Sequence, residues 1–185
     1  MIEQDSEIEN VLNAYDDRHK ERENGIRQAE EAGVQYDSEF RQVISSVIRP
    51  YFDEVARQLE AHGHAALVEE GSISSPDHRL AGGSRITLAF LPKERSQQSL
   101  HHQLELYDAP HFMLQCDKHK RVIELFQDPD LGLRATGPVS QPVWPIELVT
   151  RANLRARVLL MIVEVLTAPA EATAPSNESG ISAHP

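Results

Sequence analysis

His111, Cys116 and His119, with the adjacent pair His101 and His102 upstream, are the residues whose types could do the most specific chemistry. Imidazole and thiolate are the usual ligands of zinc. Their spacing argues against one shared site. If His111 and Cys116 share a strand, the interval between them directs their side chains to opposite faces. Only one of His101 and His102 can point to a given face, and His119 falls in a lysine-bearing turn, Lys118 to Arg121, that repels a cation. Half-exposed strand histidines and a buried free thiol account for the same residues. No metal or cofactor is therefore expected, and His101, His102, Cys116 and His119 stand as the ligand candidates if one binds.

The stretch 72–83 gathers Ser72, Ser74, Ser75, Asp77 and His78 before it ends in Gly82-Gly83. Hydroxyls, an acid and an imidazole are the ingredients of nucleophilic catalysis. Triads, however, are assembled from distant segments, and no G-x-S-x-G elbow holds a serine in strain here. The stretch reads first as a flexible connection between two strands and a candidate recognition loop. Glu30-Glu31 and Glu69-Glu70 diverge on a helix or a strand. Walker, dinucleotide, Cys-x-x-Cys and His-Glu-x-x-His motifs are all missing. No catalytic residue is assigned; a small hydrolase or metal-binding protein using the 72–83 loop or the strand histidines is the alternative.

The elements that must position these groups follow from periodicity. Ile8, Val11, Leu12, Tyr15, Ile26 and Ala29 mark one helix or a broken pair over about residues 2–32, with a centre, Asp16 to Asn24, too charged for a core. A strict heptad through Ile8, Tyr15, Arg22 and Ala29 degrades, so a short packing interface is expected there and not a long autonomous coiled coil. Asp37 or Ser38 can cap a second helix with the stripe Phe40, Val43, Ile44, Val47, Ile48, Tyr51, Phe52, Val55 and Leu59. Pro50 should kink or divide it near Ile48 or Arg49. His62-Gly63-His64 should close it, with imidazole at the negative end of the dipole.

Beyond Gly63, β-branched and aromatic runs between Gly, Pro, Ser and Asp clusters predict strands over 65–70, 84–91, 100–107, 111–116 and 121–127, the last three as antiparallel neighbours. Residues 128–145 read as an ordered connection pinned by Trp144. Pro145 opens a last helix whose inner face is Leu148, Leu154, Val158, Leu159, Ile162, Val165 and Leu166. The fold class is thus α+β: two N-terminal helices, a roughly five-stranded antiparallel meander, and a C-terminal helix packed on one sheet face. A single domain spans 1–167, with 1–36 as a charged, protruding helical segment and 168–185 as a disordered tail.

The 185 residues are 40% hydrophobic, 25% charged and only 5% aromatic, which implies an aliphatic core. A formal charge of −11 repels phosphate backbones and anionic membranes and favours basic partners. The one cysteine has no internal partner, no leader is seen, and the longest apolar run, Val158 to Val163, is far too short for a span, so a cytoplasmic protein is expected. Nucleic acid is disfavoured, although Lys118, Lys120 and Arg121, or Arg151, Arg155 and Arg157, could form a local basic patch.

These features fit a non-enzymatic protein-binding or adaptor module that acts through a helical surface and oligomerisation, homodimers included. Its contact residues would be Tyr15, Arg18, His19, Arg22 and Ile26. Small acidic secretion chaperones, which combine helices with an antiparallel sheet and often dimerise, offer a fold-level analogy although the helix–strand order here departs from theirs, so a chaperone-like role is the narrower expectation.

Overall fold

The computed structural model describes residues 2–72, 83–93, 109–128 and 143–167, and only the backbone of residues 2–8. Helix α1, Ile2–Val43, passes into a π-helical segment, Ile44–Ile48, and then into α2, Arg49–Ala61, so the N-terminal third of the chain is one continuous rod. The two separate helices expected from the sequence are therefore joined. Asp37 does not cap a second helix, because its carboxylate accepts instead from Ser84 across the fold, at 2.7 Å from the backbone N–H.

Pro50 explains the π segment. Proline has no N–H, and its ring crowds the carbonyl four residues back, here Ser46. Widening one turn relieves the clash without breaking the rod. The Arg49 N–H reaches back to the Ile44 carbonyl, and the Ser45 and Ser46 hydroxyls both donate to the Gln42 carbonyl, at 3.0 and 2.7 Å. The stripe predicted around Pro50 is retained: Phe40, Ile44, Ile48, Tyr51, Phe52, Val55 and Leu59 are buried.

At its C-terminus α2 ends as expected at His62-Gly63-His64. Gly63 turns left-handed at φ +86°, its N–H donates to the Glu60 carbonyl and the His64 N–H to the Leu59 carbonyl, which is a Schellman closure. His62 Nδ1 lies 2.8 Å from the Gln58 carbonyl, and His64 Nδ1 accepts the Lys93 N–H at 3.1 Å. Both imidazoles serve the turn.

The sheet is a four-stranded antiparallel meander, β1 (Ala65–Ser72), β2 (Ser84–Leu91), β3 (His111–Asp117) and β4 (Val122–Asp128), in the order β1-β2-β3-β4. The strand predicted over 100–107 lies outside the described residues, as do 94–108 in general and the tail beyond Thr167. Registers such as Val68 opposite Leu88, Leu88 opposite Phe112 and Leu114 opposite Leu125 put every second side chain on one face. That face is buried under the rod and the last helix, with Phe52 meeting Phe112 edge to face at 6.2 Å. Trp144 is buried and exchanges two 2.8 Å backbone bonds with Ile123, whereas residues 129–142 of the connection before it lie outside the described residues.

The last helix, α3, spans Arg151–Thr167, and so starts later than Pro145. Pro145 precedes only a short 3-10 turn, Ile146–Leu148, and Thr150 is the residue at the head of the helix, its hydroxyl accepting the Asn153 N–H at 3.3 Å. The inner face is Leu154, Val158, Met161 and Val165, with Ile162 half-buried. Leu148, expected inside, precedes the helix and is exposed, and Leu159 and Leu166, also expected inside, point outward. The reason lies in composition: α3 is apolar on both sides, and a periodicity argument cannot choose between two apolar faces. No helix among the described residues is long and apolar enough to cross a membrane.

Candidate functional site

The rod changes character at Gly33. A Cβ there would stand 2.8 Å from the Lys118 carbonyl, so the helix backbone lies directly on the β3–β4 turn, and only glycine permits that approach. From Gly33 onward the stripe Gly33, Tyr36, Asp37, Phe40 and Ile44 is buried or half-buried. Before it, every described side chain from Glu9 to Glu31 is exposed. At about 1.5 Å per residue this half of α1 projects roughly 35 Å beyond the body.

Its apolar residues keep the phase of the buried stripe. Ile26, Tyr15 and Val11 lie on the azimuth of Gly33, Phe40 and Tyr36, with Leu12 at the edge, yet Val11, Leu12, Tyr15 and Ile26 are 65, 58, 60 and 54% exposed. Along one border of this strip Glu9, Asp16, Glu23 and Glu30 recur every seventh residue, and Asp37 continues the row into the body. Arg18 and Arg22 interrupt the strip itself. Most of the remaining charge is spent locally: His19 lies 3.4 Å from Glu23, Lys20 4.0 Å from Asp17, and Arg27 donates to Asn24. Arg18 Nε donates to the Ala14 carbonyl, and the Tyr15 and His19 rings sit 6.3 Å apart. All five residues expected to contact a partner, Tyr15, Arg18, His19, Arg22 and Ile26, therefore lie on this exposed half.

At the root of the projection is a polar cluster that the sequence does not announce. Asp37 is buried, accepts from the Ser84 N–H and Oγ, and binds Arg41 at 2.9 Å; Arg41 Nε also donates to Ser84 Oγ at 2.7 Å. Beside it, burial pushes the Cys116 thiol up to about 12, with the Asp37 charge acting in the same direction. A Cβ on Gly83 would overlap the Cys116 carbonyl, so the chain enters β2 in direct contact with β3. The cluster locks helix to sheet. The Ser84 hydroxyl is buried and donates to Asp37, and among the described residues no imidazole stands beside it. An open depression of about 430 Å³ between Arg41, Ser72, Ser84 and Arg85 adjoins it, and one of about 250 Å³ lies on the other sheet face by Leu67, Thr87, His111 and Met113.

No family model, curated protein or solved structure matches this chain.

The zinc candidates are not brought together where they can be followed. His111 lies on the outer sheet face and Cys116 in the core, as their interval requires, while His119 is exposed in the β3–β4 turn; His101 and His102 lie outside the described residues. Among the described residues no group of three or more His, Cys, Asp or Glu is placed to hold a metal ion. Most of the 72–83 loop, including Ser74 and His78, also lies outside them. The basic clusters are partly engaged. Asp117 accepts the His119 and Lys120 N–H groups and pairs with Lys120 Nζ at 2.9 Å, and Lys120 also meets Glu124 at 3.1 Å. Those acids hold the Lys120 ammonium up at about 12. Arg151 pairs with Glu54 and stands over the Tyr51 ring.

Proposed function

We propose that this chain is a non-enzymatic protein-binding module that engages its partner through the projecting half of α1. One observation carries the reading: the apolar stripe that packs α1 onto the body continues in phase through Ile26, Tyr15, Leu12 and Val11, where no described residue covers it. An isolated helix exposing such a strip gains most by burying it against another protein. The acidic border of Glu9, Asp16, Glu23 and Glu30 supports a partner with basic residues beside its own apolar strip, and Arg22 supports an acid at its centre. A chaperone-like hold on a client helix is the narrower form of the proposal.

The test compares the full chain with L12E/I26E in recovery from extract of the source cells, followed by titration of the purified partner. The double variant should bind at least about tenfold more weakly, with its circular dichroism unchanged. Reversing Asp16 and Glu23 to lysine should mainly slow association and flatten its salt dependence. Equal binding by the wild type and L12E/I26E would remove α1 from the role.

A further inference from the structure

The outer face of α3 is a second apolar surface, independent of the α1 projection. Leu154, Val158, Met161 and Val165 are buried against the body, while on the opposite side Leu159, Leu160, Val163 and Leu166 are 46, 61, 57 and 44% exposed. Exposed Ala152 and Ala156 extend this strip toward the start of the helix. Positions 152, 156, 159, 163 and 166 follow alternating steps of four and three, the seam spacing of paired helices. A helix apolar all round belongs inside a structure; among the described residues α3 is covered on one side only.

We propose that this strip is the surface on which two copies of the chain pair, α3 against α3, antiparallel about a two-fold axis near Leu159 and Leu160. Size supports the orientation. The small residues, Ala152 and Ala156, occupy the first half of the strip and the large ones, Leu159, Val163 and Leu166, the second. Antiparallel pairing sets the small half of each helix against the large half of the other and fills the seam evenly. Parallel pairing would stack alanine on alanine and leave a void.

Charge supports the choice of occupant. In a chain of net charge −11, α3 carries Arg151, Arg155 and Arg157 against the single Glu164, so it is a surface where two copies can approach with little repulsion. Arg157 and Glu164 lie off the strip, on the flank toward the body, where Arg157 is half-buried and Glu164 accepts from Gln127 at 3.4 Å, so the seam itself is apolar. The contact is isologous and closes on itself. Two helices of about 25 Å bury an area on the order of 1,000 Å² in total, the small end of specific interfaces, so dimer and monomer should exchange with concentration.

Sedimentation equilibrium of the full chain tests the pairing. The wild type should shift from monomer to dimer as concentration rises, and V163E, which alters only an exposed position, should raise the dissociation constant by about tenfold or more. On oxidation, Ala152→Cys should not cross-link to its own copy, because an antiparallel pair with its axis near Leu159 holds the two positions about 20 Å apart. L12E/I26E should dimerise as the wild type does. A monomeric wild type, a V163E chain that still dimerises, or loss of the dimer in L12E/I26E would overturn the α3 interface. A ready Ala152→Cys cross-link within the dimer would overturn its antiparallel form.

Discussion

Two glycines of α1 separate what a residue does for the helix from what it does for the fold. A Cβ on Gly25 meets nothing within 4 Å, whereas one on Gly33 would press on the Lys118 carbonyl. Gly25→Ala should therefore leave the unfolding of the body unchanged and raise helix content, since alanine is favoured by about 1 kcal/mol in an exposed helix. Gly33→Ala should destabilise by about 1–3 kcal/mol, because backbone must move. Urea unfolding followed by tryptophan fluorescence reads both, as Trp144 lies in the core. Cys116 gives a pH test. Its thiol titrates near 9.0 when unfolded and about 12 when folded, so at alkaline pH the unfolded chain loses a proton that the folded chain keeps. Stability is complete below pH 9 and falls as pH rises toward 12. Burial raises Tyr36 and Tyr51 as well, Tyr51 against the opposing charges of Arg155 and Arg151, so both act in the same sense. Cys116→Ala should shallow the decline measured from pH 9 to 12; an unchanged slope would show that the thiol is not protected.

At the level of elements, legibility followed the uniqueness of each pattern. The stripe from Phe40 to Leu59, the Gly63 stop and the alternation of Ile86, Leu88 and Phe90 each allow one buried face, and each is buried as read. Pro50 announced a disturbance but not its form, because a kink and a π turn relieve the same clash. Asp37 has the side-chain oxygen of a helix cap, but its partner Ser84 lies 47 residues away, and no local pattern reports such a pairing. The exposed α1 residues were legible as unsuited to a core, whereas the seven-residue acid row gains meaning only once the helix is known to be unbroken. The start of α3 was misplaced because Pro145 is a stronger local signal than Thr150. That gives a direct check: Thr150→Ala should cost about 1 kcal/mol in thermal or denaturant unfolding, since it frees the Asn153 N–H, whereas Pro145→Ala should leave α3 in place.

For the molecule as a whole, the division at Gly33 implies that folding and recognition are separable. The core is built from the second half of the rod, one sheet face and the inner face of α3, and no described residue from Glu9 to Glu31 belongs to it. A projection held only by its own helical bonds is marginal in isolation, yet here it is nucleated by the packed helix that continues it. Its apolar strip exposes surface that a free helix gains nothing from showing, which is the cost that a partner would remove. A chain begun at Ala29 should therefore lose helical signal in circular dichroism while its thermal midpoint moves by less than about 2–4 °C, the equivalent of 1 kcal/mol at this size. It should still dimerise through α3 and should no longer bind the protein partner. A large fall in the midpoint would mean that the projection folds back on the body in solution, and the exposed strip of α1 would then be part of the core.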